Sequence, residues 1–130
     1  MRPPRVLLAD DHRVLENLTE CLAKAFELVG TVGDGGALLE AAMLLRPDVV
    51  VADISMPVID GLTAMKRINQ HLPYTKVILL TSNGDVLLAR HALNAGAAGL
   101  VMKVHAPAEL VDAIRRVADG QTFVSGAIAM

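Results

Sequence analysis

An α/β fold, a (βα)5 chain winding into a doubly wound parallel five-stranded sheet, is predicted by three features of these 130 residues. Short apolar runs recur along the chain, and the first, third and fourth are continuously apolar rather than alternating. Strands covered on both faces of a parallel sheet read that way. Stretches with helical spacing lie between the runs, and right-handed crossovers place such helices on both sides of an open sheet.

The first strand is expected at Arg5 to Ala9, followed by a helix whose Leu15, Leu18, Leu22 and Phe26 share one face. Cys21 reads as a small core residue on that stripe. A second strand covers Leu28 to Val32. The "GDGG" at Gly33 to Gly36 lacks G-x-G-x-x-G spacing and follows the second strand, so it reads as a turn. A helix over Ala37 to Leu45 stops before Pro47, and the third strand runs from Asp48 to Ala52. Leu62, Met65, Ile68 and Leu72 make the next stripe, Lys76 to Leu80 the fourth strand, and Asp85 to Ala95 a helix closed by Gly96. The fifth strand is Gly99 to Met102. Leu110, Ile114, Val117 and Ala118 mark the last helix, with Pro107 suited to its first turn and Gly120 to its end.

Composition narrows the function classes. No apolar stretch approaches the ~18 residues needed to span a bilayer. The start, "MRPPRVLLADDH", has only a short apolar segment before two acids, which is not a signal-peptide pattern. One cysteine excludes an internal disulfide and suits a reducing cytoplasm. The net charge is −2, and Phe26, Tyr74 and Phe123 are the aromatic residues. A nucleic-acid surface wants a basic stripe or stacking rings, and neither is present, so direct nucleic-acid binding is not expected. Lys66-Arg67 and Arg115-Arg116 read as solvated helix faces. His12, His71, His91 and His105 lack a paired metal spacing.

The functional crevice of such sheets lies at the carboxyl ends of the strands, where strand order reverses. Strand 1 delivers Asp10-Asp11 to that edge, strand 3 Asp53, strand 4 Thr81-Ser82 and strand 5 Lys103. Each alone has an ordinary explanation as a helix cap or solvated group. Together they form a set. Crowded carboxylates repel unless a cation holds them, and oxygen-only ligands suit Mg²⁺, or Mn²⁺, better than zinc. An ionised Asp53 can then act as a nucleophile towards phosphorus, with Lys103 and Thr81 meeting the phosphoryl oxygens.

"LLADDH", "VVVADISMPVIDG", "ILLTS" and "GAAGLVMK" resemble the landmarks of response-regulator receiver domains of two-component signalling, over nearly the whole chain. The resemblance implies a flavodoxin-like, CheY-like fold and Asp53 as phosphoacceptor. It implies Asp10, Asp11, Asp53 and the backbone carbonyl of Ser55 as metal ligands, and Lys103 as the phosphate-binding lysine. Thr81 is implied as the switch hydroxyl. Leu100 stands at the switch position where the family often has an aromatic residue, so it offers neither ring nor hydroxyl. Many receivers have a cis proline after the lysine; Val104 stands there, and a trans bond with a reshaped loop is expected.

The tail "ADGQTFVSGAIAM" resembles the NarL/FixJ (LuxR-type) branch, whose members usually carry a C-terminal helix-turn-helix. The receiver is therefore placed at 1–119, with 120–130 as the start of a linker or tail and the output domain absent. The implied partners are a sensor histidine kinase and, after phosphorylation, a second copy of the chain. The implied role is a signalling switch rather than a turnover enzyme. A stand-alone receiver acting on a protein partner is the alternative. A haloacid-dehalogenase-like phosphatase fits less well, because its D-x-D after the first strand is missing and no cap insertion exists. A binding-only pseudo-receiver would lack the acidic set.

Overall fold

The computed structural model describes residues 2–10, 16–82, 84–126 and 128. Asp11, His12 and Leu15, which carry expectations above, lie outside the described residues.

Apolar runs become strands β1 (Arg5–Ala9), β2 (Glu27–Val32), β3 (Val49–Asp53), β4 (Lys76–Thr81), β5 (Gly99–Met102) and β6 (Phe123–Val124). They form one parallel sheet in the order β2-β1-β3-β4-β5-β6. Helices α1 (Glu16–Ala25), α2 (Gly35–Leu45), α3 (Gly61–His71), α4 (Val86–Asn94) and α5 (Ala106–Ala118) connect them. Successive strand residues point to opposite faces. Val6, Leu8, Val49, Val51, Ile78, Leu80 and Val101 meet α1 and α5, while Leu7, Ala9, Val50, Ala52, Val77, Leu79 and Leu100 meet α2, α3 and α4. Each of these strand residues is buried, which is why the runs lack a polar alternate. Among the described residues no helix is long and apolar enough to cross a membrane.

Aspartates start three helices. Asp34, Asp60 and Asp85 accept from the backbone N–H of Ala37, Thr63 and Leu87 at 2.8, 2.7 and 2.9 Å, each satisfying a donor that the helix cannot. The "GDGG" turn is thus the cap of α2. At the other end of α5, Gly120 has φ +90° and stops the helix as expected.

Three details differ from the sequence expectations. The sheet has six strands, not five. Phe123 donates its N–H to Ala98 O at 3.1 Å and Ser125 to Leu100 O at 2.8 Å, so the tail after Gly120 returns to pair with β5. Two strand residues make too short a run to show as periodicity. Cys21 is exposed, because the buried stripe of α1 runs through Leu18 and Leu22 to Phe26 and Cys21 is turned off it. Ala118 is likewise exposed, and Ala113 fills the core beside Leu110, Ile114 and Val117.

The loop from β3 to α3 is closed by Ile59 N–H donating to Pro57 O at 2.9 Å. This is a three-residue turn with Val58 at its centre and φ 71°. A β-branched residue is strained there. The side chain is 82% exposed, so it adds little packing. Val58→Gly is expected to raise stability by roughly 0.5–1 kcal/mol, the relieved strain exceeding the greater freedom of glycine in the unfolded chain. A higher urea midpoint at unchanged m-value would show it.

Candidate functional site

Strand order reverses between β1 and β3; Asp10 directly follows β1 and Asp53 ends β3. Asp53 closes β3 opposite Leu80, and Thr81 lies one residue further along β4, opposite Met102 of β5. Lys103 follows directly. Parallel register therefore brings Asp10, Asp53, Thr81 and Lys103 to one sheet edge.

The Asp53 carboxylate is held from both sides. Its Oδ1 accepts from the backbone N–H of Ser55 at 3.0 Å, and its Oδ2 accepts from the ammonium of Lys103. Lys103 Nζ also lies 4.0 Å from Asp10 Oδ1. Asp53 is 1% exposed, so it is not open to solvent as its place at the strand end suggests. Lys103 covers it. Burial pushes the Asp53 carboxyl up, but the Lys103 hydrogen bond, the Ser55 N–H, Asp10 and the lysine charge together hold it below its ordinary value of 3.8.

Backbone contacts fix the acceptor's strand end. Ile54 N–H donates to Leu80 O and Gly61 N–H to Ile54 O, both at 2.9 Å. Gly61 is the residue that sequence reasoning passed over here. A methyl group on it would overlap the Asp53 carbonyl oxygen and stand 2.9 Å from Ile54 Cα. The Asp60-Gly61 pair ahead of a helical stripe was the available signal.

Lys103 begins a 3-10 turn (Lys103–His105) that leads straight into α5, with Ala106 N–H donating to Lys103 O. No cis peptide bond occurs among the described residues, in keeping with Val104 in place of proline. Thr81 is buried at the end of β4. Leu100 sits deeper, fully buried in the cluster that packs on α4. Ser55 is exposed beside Asp53, while Asp11 lies outside the described residues.

The donor chemistry suits a hard divalent cation. Two carboxylates face one ammonium, so the described site carries a net negative charge, and its acceptor atoms are oxygens.

A parallel doubly wound sheet with an acid pair and a lysine at its switch point defines a class, and known proteins place the chain within it. The profile of the family described as "Response regulator receiver domain" matches residues 6–115, and the chain belongs to that family. It is 38% identical over 128 residues to the response regulator GacA of Pseudomonas viridiflava, covering 96% of this chain and 60% of that protein. It is 34% identical over 124 residues to the oxygen regulatory protein NreC of Staphylococcus haemolyticus, covering 92% of this chain and 57% of that protein. The chain thus spans little more than half the length of these relatives. Among solved structures, the signal receiver domain of a NarL response regulator from Mycobacterium tuberculosis superposes with a TM-score of 0.87. The two are 31% identical, over 93% of this chain and all of that one. The isolated receiver domain of RcsB from Salmonella enterica serovar Typhimurium, solved with the phosphomimetic BeF3−, also gives 0.87 at 30% identity, over 98% and 96% of the two chains. These relatives set the chain in the NarL/FixJ (LuxR-type) branch.

Proposed function

We propose that this receiver domain takes a phosphoryl group from a sensor histidine kinase onto Asp53 and passes on the change through its surface. The observation that supports this best is the buried Asp53 carboxylate, held by Ser55 N–H and capped by a lysine that can change partners. An Asp53 oxygen attacks the phosphorus of the donor's phosphohistidine. The P–N bond breaks, its electron pair stays on the imidazole nitrogen, which takes up a proton, and an acyl phosphate forms on Asp53. Lys103 moves from the carboxylate to a phosphoryl oxygen, where its charge opposes the one that develops. The Ser55 N–H keeps the other carboxylate oxygen in place. Thr81 donates its hydroxyl to the phosphoryl group and so links occupancy to β4, with Leu100 contributing packing alone.

Receiver domains bind Mg²⁺ at the phosphorylation site. In this chain Asp10, Asp11, Asp53 and the Ser55 carbonyl would hold it, with Mn²⁺ as a substitute. Bound there, it would supply positive charge to the phosphoryl oxygens.

The role is that of a switch in the cytoplasm rather than an enzyme acting on an outside substrate. Phosphorylation biases the chain towards a homodimer, which would present paired DNA-binding modules in a longer regulator. RcsB, at 30% identity, has been solved as two dimers bound to two parallel DNAs. The five βα units lie within 1–119, and the 120–130 segment, which includes β6, is the start of the link to that output. The chain itself, at net charge −2, lacks the clustered cations that DNA binding through counterion release requires. Treatment with phosphoramidate and Mg²⁺, then borohydride, tests the acceptor. Peptide mapping is expected to find reduced aspartyl phosphate at position 53, and label at another carboxylate would overturn the assignment.

A further inference from the structure

The sequence marks 120–130 as the start of a linker or tail, yet β6 is paired with β5, the strand that Lys103 directly follows. Phe123 packs on the α1–α5 side of the sheet and Val124 on the other, so the two residues straddle β5. Gly99 makes room for them: a Cβ there would lie 3.2 Å from Phe123 O and 3.1 Å from Ile78 Cγ1. Beyond the strand, Ser125 is buried, and its Oγ donates to Glu109 Oε2 at 2.7 Å. Ile128 donates its N–H to Ser125 O at 3.0 Å and buries its side chain in the cluster that contains Leu100.

Glu109 lies in the first turn of α5, which follows the 3-10 turn begun by Lys103. One continuous stretch of helical backbone therefore joins the ammonium that caps Asp53 to the carboxylate that holds Ser125. We infer that β6, Ser125 and Ile128 form a strap whose docking on β5 depends on Lys103 being pinned to Asp53. The inference rests on the phosphoacceptor reading above. A phosphoryl group on Asp53 comes between carboxylate and ammonium, so Lys103 moves outward with the turn that it starts. That motion draws the first turn of α5 away from Ser125. A two-residue strand with few anchors is the kind of element that opens locally without global unfolding. Its release bares the outer edge of β5 and the Leu100 side of the core, a surface for the next component to read.

Hydrogen exchange by mass spectrometry on the whole chain reads the strap through a peptide covering residues 121–128. With Mg²⁺ and beryllofluoride, exchange in that peptide is expected to quicken about tenfold in the wild type, and Lys103→Met is expected to do the same without them. Amides of β1 and β3 should keep their protection. Coupling is reciprocal, so Ser125→Ala, which loosens the strap, should bind beryllofluoride roughly threefold more tightly. A tail with a purely structural role would leave that affinity unchanged or weaken it. Unchanged exchange at 121–128 under both perturbations, or unimproved binding by Ser125→Ala, overturns the strap. Wild type that takes up no beryllofluoride refutes the phosphoacceptor reading instead, and Lys103→Met alone then decides the strap. Should β1 and β3 show that Lys103→Met unfolds, the wild-type comparison decides it.

Discussion

Gly61→Ala is expected to lower stability by about 3 kcal/mol or more, the range reached when a substitution forces backbone apart in a packed site. The added methyl would overlap the carbonyl oxygen of Asp53 and press on Asp53 C and Ile54 Cα, both 2.9 Å away. These are backbone atoms at the end of a central strand and cannot rotate aside. Relief requires moving either β3 or the start of α3, and each is anchored by a hydrogen bond between Gly61 N–H and Ile54 O. Gly33→Ala is the control, because nothing lies within 4 Å of a Cβ there. It is expected to change stability by less than about 0.5 kcal/mol. Urea unfolding of both variants checks the contrast, and similar midpoints would contradict it.

Lys103→Met is expected to slow phosphorylation by a small phosphodonor about a hundredfold, as removal of a preorganised charge at a developing anion does. It should also reverse the pH dependence of stability on the acid side. In the wild type Asp53 is held below its ordinary 3.8, so its contribution is present above that value and lost as pH falls through the lower folded value. Without the lysine, the largest influence left is burial, which raises the carboxyl. An ionised Asp53 then opposes folding, and the variant should lose stability as pH rises above 3.8 towards neutrality. The loss at pH 7 is on the order of 3 kcal/mol, since one partner of a buried pair is gone. Added Mg²⁺ should restore part of it by binding the folded state. Stability curves from pH 3 to 7 that run parallel for the two proteins would refute the pairing.

Much of this was legible in the residues. Arg5 to Ala9 and Gly99 to Met102 are strands with the bounds that their apolar runs mark, because strands buried on both faces leave no polar alternate. Asp10, Asp53, Thr81 and Lys103 meet at one edge because parallel strands all end on the same side. What stayed hidden depends on side-chain placement across long separations. Lys103 lies fifty positions from the carboxylate that it covers, and no local pattern says that it folds over Asp53 rather than into solvent. The positive φ of Val58 is imposed by the loop closing on α2, against that residue's own preference. β6 owes its place to Gly99 and Ser125, contacts with no periodic signature.

Intact-mass measurement of wild type and Asp53→Asn, incubated side by side with acetyl phosphate and Mg²⁺, tests Asp53 as acceptor most directly. Wild type should gain one phosphoryl group and the variant none. Equal gain by both proteins would contradict it.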